Sequence, residues 1–148
     1  MILYPLLILS LPAGEQCGRC KVATKRLNLK RYCNRDYAIL ASVLTRESVD
    51  EWARFTVNVL AVFKKGRESR LRRGSAFLWV QMEDLVCKCP KIKVNKSYLI
   101  MGNEHKDGQP GLMAGRQSVV IEWRDDWQEK MKSLQRRSRD ECDDEEDE

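Results

Sequence analysis

The sequence predicts a mainly β fold with helical flanks: a small five-stranded barrel of the OB type, held at its cysteines. Three observations carry this. Five short apolar segments alternate with polar or glycine-bearing turns, the last segment has an apolar stripe at helical spacing, and six cysteines stand in 148 residues. That length suits one domain. A composition of 43% hydrophobic and 33% charged residues can build a core and excludes disorder throughout. No apolar run reaches the roughly 18–20 residues of a membrane span.

Met1 to Leu11 is apolar, of the length of a signal-peptide hydrophobic region, and followed by Ala13 and Gly14. Residues 1–14 are therefore read as a signal peptide and residues 15–142 as the domain. Residues 17–36 hold Cys17 and Cys20, a basic stretch and Cys33. Tyr37 to Leu44 is apolar apart from Ser42 and suits a buried strand, and residues 46–50 read as a polar turn. Trp52 to Phe63 alternates, placing Phe55, Val57, Val59, Ala61 and Phe63 on one face of a long strand. A basic turn, Lys64 to Gly74, leads to a third strand at Ala76–Val80. Asp84 to Pro90 reads as extended, with Cys87 and Cys89 on one face. Tyr98–Met101 is the fourth strand. Four glycines and a proline make 102–115 a loop, and Ser118–Glu122 is the fifth strand. Such a pattern does not fix strand order.

Trp123, Trp127, Met131 and Leu134 share one face of a helix, where the tryptophans act as core anchors. Asp125 and Asp126 fall in its expected first turn, and Arg136, Arg137 and Arg139 near its end, both suited to the helix dipole. Residues 143–148, DDEEDE, read as an acidic disordered tail.

The net charge of +5 conceals a division. From Asp140 onward there are eight acidic residues and no basic one, so the preceding residues carry 27 basic against 14 acidic side chains. A body this basic expects a polyanion. Its cations fall in three groups: Lys64, Lys65, Arg67, Arg70, Arg72 and Arg73; Lys88, Lys91, Lys93 and Lys96; and Lys130, Lys132, Arg136, Arg137 and Arg139. Guanidinium forks and ammonium groups suit sulfates. Asn95-Lys96-Ser97 is an N-glycosylation sequon. Catalysis is not expected, nor a cofactor. The one histidine, His105, sits in the glycine-rich loop, and no HExxH, P-loop or GxSxG is present. The even cysteine count, clustered front and middle, reads as a disulfide framework of a secreted protein. A rival reading takes Cys17, Cys20, Cys87 and Cys89 as a four-thiolate zinc site in an intracellular nucleic-acid binder.

Cys33-Asn34-Arg35-Asp36-Tyr37-Ala38, Phe55-Thr56-Val57-Asn58-Val59, Leu71-Arg72-Arg73-Gly74 and Leu78-Trp79-Val80 resemble the C-terminal domain of netrins. So do Cys87-Lys88-Cys89-Pro90-Lys91-Ile92, Ser97-Tyr98-Leu99-Ile100-Met101-Gly102 and Val120-Ile121-Glu122-Trp123-Arg124-Asp125-Asp126-Trp127. The likeness runs in order from about Cys17 to Cys142. The wider class is the netrin-like module, shared with frizzled-related proteins, complement components, procollagen proteinase enhancers and tissue inhibitors of metalloproteinases. The resemblance implies an OB-like barrel packed against terminal helices, and bridges Cys17–Cys87, Cys20–Cys89 and Cys33–Cys142. Loops of this size stabilise by roughly 4 kcal/mol each on the entropy model. It also implies a secreted, extracellular module that binds heparin or heparan sulfate and matrix, with netrin receptors as further partners and a role in axon guidance or adhesion. Nucleic acid is not an expected partner. An alternative within the class is a metalloproteinase inhibitor, in which the first cysteine is the mature N-terminus.

Overall fold

The computed structural model describes residue 17 and residues 27–104 and 111–146, with side chains of 143–146 excepted. The expected signal peptide, Cys20 and His105 lie outside the described residues. The elements are α1 (Leu29–Cys33), β1 (Tyr37–Val49), β2 (Trp52–Lys64), β3 (Gly74–Gln81), α2 (Met82–Val86), β4 (Ser97–Glu104), β5 (Leu112–Met113), β6 (Val119–Glu122) and α3 (Trp127–Glu146). The protein is mainly β, with a few helices.

β1 pairs along its length with β2, and its first six residues pair on the other edge with β4, from Tyr37↔Gly102 to Ser42↔Ser97. β2 pairs with β3, β3 runs parallel to β5, and β5 pairs with β4. The pairing thus closes on itself, and β6 adds to β4. Two apolar clusters follow. Tyr37, Ile39, Ala41, Val43, Phe55, Val57, Val59, Leu78, Val80 and Ile100 pack in the first. Ala38, Leu99, Met101, Val119 and Ile121 face the opposite way, against Tyr32, Met131 and Leu134 of the helices. Strands covered on both faces have no polar side, which is why 37–41 and 98–101 read as apolar runs; Ser42, which interrupts the first, is half-buried.

Tyr37 is fully buried, and its hydroxyl donates to the Met113 carbonyl oxygen at 2.8 Å. Burial, reinforced by the Glu104 and Asp36 charges, pushes its phenol pKa up, so it stays a donor. The strand opposite must be glycine: a Cβ on Gly102 would stand 2.5 Å from that same carbonyl oxygen and 2.7 Å from the Tyr37 hydroxyl.

Several expectations are corrected. The turn over 46–50 is strand, since β1 runs to Val49 and reverses only at Asp50–Glu51, with Asp50 at φ 54. The loop 102–115 holds the end of β4 and the two-residue β5, too short for any periodicity to show. Asp84 to Pro90 is not extended: α2 occupies 82–86 and Cys87 is its C-cap. α1 lies within the basic stretch and was not expected; Asn28 caps it, accepting from the Arg31 N–H at 2.9 Å. α3 starts at Trp127, so Asp125 and Asp126 precede it. Trp123 precedes it too, stacking on Phe63 with ring centroids 6.2 Å apart. α3 continues to Glu146, into the segment read as a tail, so Arg136, Arg137 and Arg139 lie in mid-helix rather than at its end.

Tyr37→Phe keeps the ring but removes the hydroxyl donor from the part-buried Met113 carbonyl. The expected loss is about 1–3 kcal/mol. It is read as a lower urea midpoint at unchanged m-value; an unchanged midpoint contradicts the role given to this bond.

Candidate functional site

At the end of β2 the ladder bulges. Ala38 pairs with Lys64 and Ile39 with Val62, so Phe63 has no partner on β1. A bulge re-aims a side chain and frees a carbonyl. The Phe63 ring turns to Trp123, and its carbonyl oxygen accepts from the Tyr32 hydroxyl at 3.0 Å and from Gln135 Nε2 at 2.8 Å. One residue on, Lys64 Nζ donates to the Tyr32 and Cys33 carbonyl oxygens at 2.7 and 3.0 Å. These carbonyls end α1, where intrahelical donors run out. The same ammonium stands 5.3 Å from the Tyr32 ring centroid. Burial pushes the Tyr32 phenol pKa up, partly offset by a hydrogen bond with Ser138.

The chain then folds over itself. Lys65 Nζ donates to the Leu71 carbonyl oxygen at 3.2 Å, the Ser69 hydroxyl donates to the Glu104 carboxylate, and Leu71 is buried. This divides the first cation group. Arg72 and Arg73 line an open depression with Val62, Phe63, Lys64 and Lys65. Arg70 lines a different one, with Glu68, Glu104 and the exposed Phe77, and Arg67 lines neither.

α3 supplies the other wall. Lys132, Arg136 and Arg139, at i, i+4 and i+7, share one helix face. With Tyr32, Phe63, Lys64 and Lys65 they line a second depression, adjoining the first through Phe63, Lys64 and Lys65. No carboxylate lines either depression among the described residues. Lys130 and Arg137 point elsewhere: Lys130 Nζ lies 5.5 Å from the Trp127 ring centroid, and Arg137 pairs with Glu141 at 2.9 Å.

Lys91, Lys93 and Lys96, with Lys88, line a separate depression that includes Glu122. Lys96 Nζ bonds Glu122 Oε1 at 3.0 Å, which holds its pKa above the ordinary range. Lys96 precedes β4 at Ser97↔Ser42, whereas Lys64 pairs with Ala38, itself opposite Met101. Four residues of strand, roughly 13 Å, separate the two levels. Sequence reasoning named Lys64 for charge and missed its fixed acceptors. It also missed Tyr32, Phe63 and Gln135, which no motif marks.

The cysteines are bonded. Cys17 is joined to Cys87 and Cys33 to Cys142, at Cα separations of 5.2 and 5.3 Å. Cys89, fully buried, is also in a disulfide, and Cys20 lies outside the described residues. The Cys87 segment is held at Asp84: its carbonyl accepts the Cys89 N–H at 2.9 Å and its carboxylate takes Arg116 at 2.8 Å. A disulfide sulfur is not a thiolate donor, so the four-thiolate zinc reading falls.

Residues 30–136 match the UNC-6/NTR/C345C module. The chain is 35% identical over 132 residues to netrin-5 of Homo sapiens, covering 86% of this chain and 27% of that protein. It is 34% identical over 142 residues to netrin-5 of Mus musculus, covering 86% and 31%. Procollagen C-endopeptidase enhancer 2 of Homo sapiens is 31% identical over 86 residues, covering 55% and 20%. The chain spans less than a third of the length of these relatives.

Lys64→Ala removes the donor to two helix-terminal carbonyls, and is expected to destabilise by about 1–3 kcal/mol. Arg72→Ala and Arg73→Ala, exposed and without ion pairs among the described residues, should stay within about 0.5 kcal/mol of the parent. Equal denaturation midpoints for all three contradict the separation of the structural lysine from the surface arginines.

Proposed function

Because this chain belongs to the UNC-6/NTR/C345C module family, we propose that residues 15–142 form a secreted, non-enzymatic binding module that takes heparin, heparan sulfate or another sulfated glycan. Its closed strand pairing is read as an OB-like barrel flanked by helices. The biological role inferred from the netrin relatives is guidance or adhesion signalling in the extracellular matrix. No helix among the described residues is long and apolar enough to cross a membrane.

The observation that carries the reading is the meeting of two basic segments far apart in sequence. Lys65, Arg72 and Arg73 after β2, and Lys132, Arg136 and Arg139 on α3, line adjoining depressions without a carboxylate. Lys132 has Glu129 Oε1 at 4.0 Å and the other five have no ion pair among the described residues; such like charges repel, and a polyanion removes that repulsion while releasing its own counterions. Arginine forks give a sulfate two donors each. Open, adjoining depressions suit a chain lying across the surface rather than a small molecule enclosed in it.

An Arg72→Ala, Arg73→Ala, Arg136→Ala variant is expected to elute from heparin at lower salt, with the slope of log affinity against log salt shallower by roughly 2. Thermal stability should not change. Arg70→Ala, Arg67→Ala, Lys130→Ala serves as a charge-matched control and should elute near the parent. Identical displacement of the two triple variants would mean that net charge alone, and not this surface, binds the glycan.

A further inference from the structure

We propose that Asn95 carries an N-linked glycan, and that this glycan shields the neighbouring lysine depression from polyanions. The proposal rests on the extracellular reading above. Asn95 is exposed, in the turn that enters β4, at φ 71. Its backbone N–H donates to the Val43 carbonyl oxygen at 2.7 Å, which fixes the turn. Its side-chain amide has no hydrogen-bond partner among the described residues and faces solvent. A left-handed turn explains an asparagine here, because asparagine tolerates that conformation better than most residues. It does not explain the hydroxyl two residues on. Ser97 begins β4, where its pairing with Ser42 demands no serine.

In the transfer, the Asn95 amide nitrogen bonds to the anomeric carbon of an oligosaccharide carried on a lipid pyrophosphate. The bond from that carbon to the pyrophosphate oxygen breaks, the lipid pyrophosphate leaves, and the amide loses one proton. The attached sugar stands beside Lys93 and Lys96, both of which line the depression with Lys88 and Lys91. A bulky neutral chain there screens these lysines from a sulfated polymer. The α3 and β2 depressions lie at the other level of the sheet and stay open.

The test expresses the full chain behind a secretory leader in cultured animal cells and measures the intact mass of the secreted, non-reduced protein. The expected parent is heavier than its sequence, and peptide:N-glycosidase F returns it to the sequence mass plus the one-dalton gain of aspartate for asparagine at 95. Asn95→Gln and Ser97→Ala should abolish the extra mass, while Ser97→Thr should retain it. Secreted, disulfide-bonded protein at its bare sequence mass overturns the proposal and leaves the extracellular reading standing. Protein kept inside the cells with reduced cysteines overturns both. The shielding is read separately on heparin. Lys91→Ala, Lys93→Ala should leave the elution salt of glycosylated protein unchanged and lower it in the Asn95→Gln background; an equal drop in both overturns the shielding.

Discussion

Five residues of β1 are paired along both edges at once, and the placement of everything else follows from this. Ala38 to Ser42 hold β2 on one side and β4 on the other. A strand in this position cannot slip, because a one-residue shift against either neighbour would turn its whole side-chain set over. Its faces are also covered, fully by the inner cluster on one side and in part by the helix-facing cluster on the other, where Leu40 and Ser42 are half-buried. The bulge that displaces Phe63 sits directly against it. The polar residues of the site therefore hang on a backbone register that the apolar core determines.

The helices are docked more weakly than the strands. Among its described side chains α3 buries Met131 and Leu134 completely or nearly so, with Trp127 partly covered, while most of the others are charged or polar. A helix of that composition draws little stability from its own apolar face. The Cys33–Cys142 bridge joins segments 109 residues apart in sequence, which the entropy model credits with about 4.7 kcal/mol. Holding α3 there costs electrostatic repulsion, since Lys132, Arg136 and Arg139 face Lys64 and Lys65. The bridge, the Gln135 bond to Phe63 and the buried methionine and leucine together offset it. Of Lys132, Arg136 and Arg139, Lys132 has a carboxylate near it, Glu129 Oε1 at 4.0 Å; the two arginines have none among the described residues, and their repulsion is borne by covalent and apolar contacts.

Legibility from sequence follows the physics of each segment. The strands were readable where burial was nearly complete, as at 37–43 and 98–101, or strictly alternating, as at 55–59. They were not readable where pairing alone makes the strand: residues 44–49 are mostly exposed and polar, yet β2 carries them as its hairpin partner. Leu112 and Met113 are strand only because β3 and β4 both lie beside them. The helix face was visible in Met131 and Leu134, but its start was not, because Trp123 has the right spacing while its ring belongs to the Phe63 contact. Grouping cations by sequence proximity failed at the turn after β2: burial of Leu71 sends Arg70 to one side and Arg72 and Arg73 to the other.

The two lysines that follow each other at the end of β2 show why charge counts describe this protein poorly. Lys64 and Lys65 are identical in formal charge and adjacent in sequence, and both line the cationic depressions. Lys64, however, faces the open end of α1 and is held by two carbonyls and a tyrosine ring, so its ammonium helps to fix the fold. Lys96, at the other level of the sheet, is balanced by Glu122 across two strands. Arg72, Arg73 and Arg136 have neither a carbonyl cage nor a carboxylate among the described residues. The role of each cation is thus set by the acceptors the fold places around it. A partner's anions would complete the coordination only where the protein has left it incomplete, and those positions lie on α3 and the turn after β2.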